Sequence, residues 1–322
     1  MRHAGIDVSK STLAIALLES LRTADVPNTK AGIDRIAQML GEEPIRVVIE
    51  ATASYGFDLA SALARMPNVE LMAANPRATR NFARSTRQRG KTDRTDSLML
   101  ARFASAMEFV PWTPPTASAL ELRDVMRRRK QLADQKAAEK KRLVELRSQQ
   151  RPNPIVVEDL EDHVKHLEGR IVRLEQQALS VGRQDPWLDT WRQQLISVPG
   201  VANVTALAVI SELACLPPDM DARQLTAFAG LDPQPWQSGT MDAKRRISKR
   251  GNKRLRTALF LAAWNATRFS PHVAAWRDRL IQRGKAPKVA TIAVARRLLH
   301  AFVAMRDREQ SWDGDAFHPL AA

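Results

Sequence analysis

Asp93 and Asp96 are the residues whose types and spacing most directly suggest chemistry. The apolar residues beginning at Leu98 predict a helix that starts near Thr92, and residues three apart on a helix share one face. Two carboxylates held this close are unfavourable unless a cation lies between them or one is protonated, and Mg2+ prefers carboxylate oxygens. The alternative is structural, because Thr92 is a good N-cap and acids in a first turn complement the helix dipole. Taken alone, the pair favours the structural explanation.

Two further acids stand at the ends of strand-forming runs. Asp7 falls near the end of residues 3–8, where an acid is unusual, and Glu50 closes the strand-forming run 46–49, which is rich in β-branched residues. Open α/β sheets place their chemistry at the carboxyl ends of central strands. We therefore predict that the four acids converge on one or two metal ions in a phosphoryl-transfer site. The alternatives are a solvent-facing carboxylate for Glu50 and a bond to the hairpin backbone for Asp7.

The elements that must position these acids are short strands and helices. Two strands joined as a hairpin come first, and helices then alternate with strands, which predicts a mixed α/β sheet. The predicted elements are strands at 3–8 and 12–18, a helix at 31–40, a strand at 46–49, a helix at 55–66 and a strand at 69–74.

Beyond Pro111 the sequence predicts helices. Residues 117–148 are helix-forming and contain no glycine or proline. A second helix follows Pro154, and its apolar residues form a heptad seam. The seam comprises Val157, Leu160, Val164, Leu167, Ile171, Leu174, Ala178 and Val181. We predict an antiparallel hairpin that associates with another subunit, with packing inside one chain as the alternative.

The remaining chain is predicted to be almost wholly helical. Gly230 is expected to end a short helix, and two further helices are expected near 271–283 and 287–306. Their apolar stripes, which include Val289, are expected to be core, as are Trp264 and Trp276. The predicted domains are residues 1–112, an α/β catalytic domain; 113–184, a coiled-coil linker; and 185–322, a mostly α domain.

Composition narrows the classes of function. The formal net charge of +15 favours a polyanionic partner, nucleic acid before an anionic membrane. No apolar run approaches the roughly 20 residues of a membrane span, and no secretory signal precedes the first strand, so a cytoplasmic protein is expected. Cys215 is the sole cysteine and the six histidines lack ligand spacing, which excludes an internal disulfide and argues against a zinc site. Tyr55, the sole tyrosine, has no Arg/His cluster around it, which argues against a tyrosine recombinase.

Basic residues cluster in two places. The first cluster leads into Asp93 and is predicted to bind phosphates beside the metal site. It comprises Arg77, Arg80, Arg84, Arg87, Arg89 and Lys91. The second is the densest basic run of the chain, and apolar Ile247, Leu255 and Leu259 argue against a disordered arm. It comprises Lys244, Arg245, Arg246, Lys249, Arg250, Lys253, Arg254 and Arg256.

Several ordered motifs together resemble one known family. They are Gly5-Ile6-Asp7, Ile49-Glu50-Ala51-Thr52, Lys91-Thr92-Asp93 with Asp96, and Ser238-Gly239 ahead of Gly251-Asn252-Lys253-Arg254-Leu255-Arg256. This set resembles the DEDD transposases of bacterial insertion sequences, relatives of the Piv-type DNA invertases. Ala53 departs from the glycine that many members carry there.

The resemblance implies a RuvC-like ribonuclease H fold in the N-terminal domain and a metal-dependent DNA recombinase working in the bacterial cytoplasm, associated with the nucleoid. It implies that Asp7, Glu50, Asp93 and Asp96, here called the acidic quartet, bind Mg2+ or Mn2+. Ser238 would be the nucleophile, a role the residues alone do not suggest, because no neighbouring base is visible. DNA, a structured bridging RNA and further subunits in a dimer or tetramer would be the partners.

Two alternatives remain open. A junction-resolving nuclease would use the acidic quartet and water, without Ser238. A non-enzymatic scaffold would bind RNA or DNA through its basic surface, and its acids would be structural.

Overall fold

The computed structural model describes residues 1–50, 54–86, 93–217, 220–234, 237–238, 241–242 and 246–320. Side chains at Ser54, Arg77, Asp93 and in 237–242 lie outside this description. The chain forms two compact units, Met1–Pro114 and Pro115–Ala322. The predicted hairpin and C-terminal helices both fall within the second unit.

The first unit is built on one mixed sheet. Its elements are β1 (Arg2–Val8), β2 (Thr12–Leu17), β3 (Thr23–Pro27), α1 (Lys30–Leu40), β4 (Ile45–Glu50), α2 (Phe57–Leu63), β5 (Val69–Ala74), α3 (Pro76–Ser85) and α4 (Asp93–Ala106). The strand order is β3-β2-β1-β4-β5. The β1–β2 and β2–β3 pairs are antiparallel, and the β1–β4 and β4–β5 pairs are parallel. The predicted mixed α/β sheet is confirmed.

Helices cover both faces of this sheet. Alternate residues of each strand point to opposite faces, so Ile6 and Ile49 pack with α1 and α2 while Val48 and Ala74 pack with the apolar side of α4. Burial on both faces explains why the central strands are continuously apolar. It also leaves few positions for a polar side chain, and these lie at the strand ends.

In its described residues, the second unit is helical apart from four very short strands. Its elements are α5 (Ala117–Arg147), α6 (Pro154–Gln184), α7 (Pro186–Ile196), α8 (Asn203–Leu213), α9 (Ala222–Ala229), β6 (Pro233–Gln234), β7 (Gln237–Ser238), β8 (Met241–Asp242), β9 (Arg246–Ile247), α10 (Lys253–Phe269), α11 (Pro271–Gln282), α12 (Pro287–Arg308) and α13 (Gly314–Phe317). In the described part of the chain, no helix is both long enough and apolar enough to cross a membrane.

Helices α5 and α6 pack together as an antiparallel hairpin within one chain. Leu132 of α5 packs against Leu167 and Ile171 of the predicted seam. Charged residues of α5 pair with acids of α6 across the hairpin: Arg129 donates to Glu175 at 2.6 Å, and Lys136 lies 3.6 Å from Glu168. The hairpin that sequence analysis predicted is therefore present, and association with a second subunit stays a prediction.

The C-terminal helices enclose a single core. Trp191 of α7 and Phe302 of α12 lie at its centre, fully buried. Gly230 ends α9 in the left-handed region, as predicted. The prediction that Trp264 and Val289 are core was wrong, because these residues are 51% and 50% exposed. A periodic apolar stripe does not reveal which of its members extend past the neighbouring helices.

Candidate functional site

Asp7 and Glu50 lie at the carboxyl ends of adjacent parallel strands. The register pairs Ile6 of β1 with Ile49 of β4, so the two acids are the next residues along neighbouring strands. Strand alternation places both on the sheet face of Gly5 and Val48. Each acid is partly buried. Two carboxylates thus occupy one end of one sheet face.

Helix α4 lies directly over this face. A Cβ atom added to Gly5 would stand 2.2 Å from the carbonyl oxygen of Ser97 and 2.3 Å from the amide nitrogen of Ala101. Only glycine allows a helix backbone to approach a strand this closely. The glycine of the Gly5-Ile6-Asp7 motif therefore sets the distance between α4 and the strand that carries Asp7.

The direction of α4 brings its first turn toward the same end of the sheet. Phe109, just beyond the carboxyl end of α4, lies under the guanidinium of Arg46 at 5.0 Å, and Arg46 is near the start of β4. Since Ser97 crosses the middle of β1, α4 runs antiparallel to β1 and β4. Its first turn, with Asp93 and Asp96, therefore points toward the strand ends that carry Asp7 and Glu50.

Within the described residues, no group of three or more histidine, cysteine, aspartate or glutamate side chains is arranged to hold a metal ion. The side chain of Asp93 lies outside that description, and Asp7, Glu50 and Asp96 each make interactions of their own. The carboxylate chemistry and the shared end of the sheet suit a hard cation. The acidic quartet remains a prediction supported by the placement of its elements.

The first basic cluster lies partly on α3, which sequence analysis did not predict. Thr79 is buried and the ring of Phe82 meets Phe103 edge-on at 5.3 Å, so one side of α3 docks on α4. Arg80 and Arg84, four residues apart, are exposed on the helix. Arg87, Arg89 and Lys91, and the side chain of Arg77, lie outside the described residues.

Ser238 lies in a two-stranded ribbon. Pro233 and Gln234 pair with Ile247 and Arg246, and further along Gln237 and Ser238 pair with Asp242 and Met241. We call these two antiparallel pairs the serine ribbon. Gly239 and the side chain of Ser238 lie outside the described residues. Strands of two residues have no periodicity that sequence analysis could detect.

The base of the serine ribbon is fixed by the Gly251-Asn252 motif. A Cβ atom at Gly251 would stand 2.0 Å from the carbonyl oxygen of Phe228, and the amide of Asn252 donates to that same oxygen at 2.6 Å. The side-chain oxygen of Asn252 caps α10 by accepting from the amides of Arg254 and Leu255. Gly251 and Asn252 therefore have a structural role, because they hold the chain between the serine ribbon and α10 against Phe228.

The second basic run divides between surface and scaffold. Five of its side chains are exposed near the ribbon base and the start of α10: Arg246, Lys249, Arg250, Lys253 and Arg254. Arg256 is half-buried and donates to the carbonyl of Ala229 at 2.8 Å, which is a structural contact. Lys244 and Arg245 lie outside the described residues.

A buried carboxylate that sequence analysis missed holds Asn252 in place. Glu212 of α8, 4% exposed, accepts from Arg127 at 2.9 and 2.8 Å and from the side-chain amide of Asn252 at 2.7 Å. Burial raises the pKa of Glu212, but the hydrogen bonds from Arg127 and Asn252 lower that pKa by more, so the net shift is downward. Its partners are 85 and 40 residues away in sequence, so no local motif could reveal them.

Comparisons with known proteins bear on both units. Residues 4–150 match the model of IS110-type DEDD transposases, described as a transposase, and residues 192–277 match that of the transposase IS116/IS110/IS902 family. The chain is 25% identical to the pilin gene-inverting protein of Moraxella bovis and 26% identical to that of Moraxella lacunata, with 97% of each chain covered in both cases. It is also 32% identical to the transposase for insertion sequence element IS1111A of Coxiella burnetii, over 37% of this chain and 34% of the relative.

Proposed function

Because this chain belongs to the IS110-type family of DEDD transposases and is a DNA transposase or recombinase, we propose that it cuts and rejoins DNA with a metal-binding acidic quartet and a serine nucleophile. The observation that carries the proposal is the placement of Asp7, Glu50 and the first turn of α4 at one end of one sheet face. The mixed strand order around β1 supports a RuvC-like ribonuclease H fold for this unit.

In this proposal the acidic quartet holds one or two Mg2+ or Mn2+ ions. Ions held there would supply positive charge to a scissile phosphate. Strands β1 and β4 supply one carboxylate each and α4 supplies two, all as hard oxygen donors. The exposed Arg80 and Arg84 of α3 bind flanking phosphates, together with the rest of the first basic cluster.

In the proposed reaction, Ser238 is the residue that forms a covalent bond to DNA. Its hydroxyl oxygen bonds to the scissile phosphorus while the bond from phosphorus to the leaving sugar oxygen breaks. The serine loses its proton and the leaving oxygen gains one. A sugar hydroxyl of another strand then attacks the phosphoserine, and the serine recovers its proton. One phosphate ester replaces another at each step, so rejoining needs no external energy source.

The basic surface and the hairpin support nucleic acid and further subunits as partners, and the resemblance to the DEDD transposases implies the bridging RNA. The second basic run, with exposed Lys253 and Arg254, binds nucleic acid backbone, and a structured bridging RNA brings donor and target DNA together. The acidic quartet and Ser238 lie in different units, so we propose that the active site is completed in a dimer or tetramer. Exposed apolar residues near the hairpin turn support self-association.

The test is a trapped protein–DNA adduct. Protein, candidate flanking RNA and element-end DNA are incubated with Mg2+ and analysed on a denaturing gel. We expect an adduct that Ser238→Ala reduces at least about a thousandfold, as loss of a nucleophile does. Asp7→Asn and removal of Mg2+ should also abolish it. The control is Ser180→Ala, an exposed serine of α6, which should leave the adduct unchanged.

The same experiment separates the alternatives. A junction-resolving nuclease predicts that Ser238→Ala still cleaves and that no adduct survives denaturation. A non-catalytic scaffold predicts that the protein binds DNA but neither cleaves it nor responds to Mg2+. Either result would overturn the serine mechanism.

A further inference from the structure

A groove of about 800 Å³ opens on the C-terminal helices. It is lined by α11, α12, the segment around Trp312 and the base of the serine ribbon. We call it the C-terminal groove. The acidic quartet belongs to the other unit, and the described lining consists of other residues than those given a role in the proposed chemistry at the quartet.

Apolar side chains form much of its lining. They include Leu280 of α11 and Ile292 and Ala304 of α12, and Trp312 adds an aromatic surface. Val289, at the rim, is 50% exposed. Water contacts apolar surface here, so an occupant that brings flat or apolar groups would gain free energy by displacing it.

The rim of the groove is strongly basic. Lys285, Arg296, Arg308 and Arg246 are exposed, and among the described residues none of these four forms an ion pair. Asp313, the one acid among the described lining residues, caps α13 by accepting from the amide of Ala316. The groove thus offers several positively charged side chains to a ligand, while the carboxylate of Asp313 is already hydrogen-bonded within the protein.

The aromatic end of the groove is rigidly built. The guanidinium of Arg297 lies 5.0 Å from the ring centroid of Trp276 and 4.8 Å from that of Phe317, and it donates to the carbonyl of Phe317. Trp312 and Phe317 lie 5.1 Å apart. Preorganised aromatic surface costs little entropy when a ligand binds.

An apolar floor beneath a cationic rim matches a ligand that is both polyanionic and aromatic. A single nucleic acid strand has this character, because its phosphates are charged and its base faces are unpaired and apolar. A duplex does not, since stacking hides its base faces. We propose that the C-terminal groove binds an unpaired nucleic acid strand, with phosphates on the rim and bases on the floor.

The groove is lined in part by the base of the ribbon that carries Ser238. Pro233, Arg246 and Ile247 of the ribbon base line the groove, and Ser238 lies four residues beyond Gln234 along the same ribbon. This part of the inference rests on the proposed function: a strand leaving the groove along the ribbon would lead to the serine.

The first test measures binding without chemistry. A fluorescein-labelled single-stranded oligonucleotide is titrated with Ser238→Ala protein in EDTA, so the outcome does not depend on the serine or the metal. Lys285→Glu combined with Arg296→Glu should weaken binding by about tenfold or more and reduce the slope of log affinity against log salt by about 0.7 per lost contact. Thermal melting of each variant verifies that it is folded.

Two controls make the result specific. Arg173→Glu changes an exposed charge on α6, outside the groove, and should alter affinity much less than the groove pair. Lys285→Arg combined with Arg296→Lys keeps both charges and should bind like the parent. Equal weakening by Arg173→Glu, or no weakening by the groove pair, would overturn the proposal.

The second test identifies the occupant. A photoreactive phenylalanine placed at Val289 should crosslink the single-stranded oligonucleotide, and a matching duplex should crosslink far less. The proposal would be overturned if the crosslinks formed mainly to a second copy of the protein. It would also be overturned if an acidic amphipathic peptide displaced the strand but unlabelled strand did not, because either result would show that the groove is a protein-docking site. Failure of the adduct experiment would leave these binding results unchanged.

Discussion

At the scale of single residues, Gly5 sets how closely α4 approaches the strand that carries Asp7. The backbone of α4 occupies the space where any side chain at this position would lie. The sequence alone does not show why a glycine is needed at this position, because the backbone that it admits, at Ser97 and Ala101, is more than 90 residues away. The structure shows that the motif combines a close-packing residue with a predicted ligand.

We predict that Gly5→Ala displaces α4 and lowers both stability and recombination. Overpacking of this kind typically costs about 1–3 kcal/mol, and here the obstacle is backbone that cannot rotate away. Urea unfolding would measure the loss. Gly169→Ala is the matched control: nothing lies within 4 Å of a Cβ there, and alanine suits the interior of α6 better, so stability should be unchanged or increase by roughly 0.5–1 kcal/mol. A Gly5→Ala protein as stable as the parent would contradict the packing argument.

At the scale of elements, sequence patterns predicted the strands and helices with a regular apolar period. They missed very short strands and contacts between residues that are distant in sequence. The strands β1, β2, β4 and β5 and the seam of α6 were predictable because a long apolar period specifies them. Helix α3 was missed because its arginines obscured the docking of Thr79 and Phe82. The strands of the serine ribbon are only two residues long, so they have no detectable period, and the contact between Glu212 and Arg127 joins residues 85 apart in sequence. The parts nearest the proposed chemistry were therefore the least predictable.

We predict that Glu212→Gln destabilises the second unit by about 2 kcal/mol, the usual size of a lost hydrogen bond to a charged group. The variant leaves Arg127 without its anionic partner and weakens the hold on Asn252. Chemical unfolding gives the measurement. Glu168→Gln provides the control, because Glu168 pairs with Lys140 at a side chain that is 44% exposed, where an ion pair contributes little. Equal effects of the two substitutions would contradict the role of burial.

The same carboxylate predicts a dependence on pH. The pKa of Glu212 is below its ordinary value of 4.5 in the folded protein, so the unfolded state binds a proton more readily. Its contribution to stability is fully present above pH 4.5 and is lost as pH falls through the folded pKa. The free energies of unfolding of the parent and of Glu212→Gln, measured at a series of decreasing pH values, should therefore converge, because the variant loses less stability than the parent. A constant difference between the two at every pH would contradict this linkage.

At the scale of the whole molecule, the hairpin of α5 and α6 leaves apolar side chains uncovered near its turn. Val144 is 70% exposed, Ile155 75% and Val156 44%. The net charge of +15 opposes association of copies at low salt, so contact through an apolar surface would offset that repulsion. The sequence predicted the hairpin from its seam, but which residues lie outside the seam and uncovered required the structure.

We predict that Ile155→Glu combined with Val144→Glu shifts the protein toward monomer without lowering its melting temperature, because neither side chain supports the fold. Light scattering after size-exclusion chromatography would measure the mass. Val172→Glu, at a half-exposed position farther along α6, is the control and should leave the mass unchanged. An unaltered oligomer in the double variant would place self-association on another surface.

The contacts of Asn252 restrict which amino acid can occupy that position. Its oxygen must accept from two helix amides while its nitrogen donates to an ionised carboxylate. Serine and threonine are good caps but too short to satisfy both sides, and aspartate has no proton to give. Asparagine suits the turn between the ribbon and α10 because its short side chain carries both a hydrogen-bond donor and a hydrogen-bond acceptor.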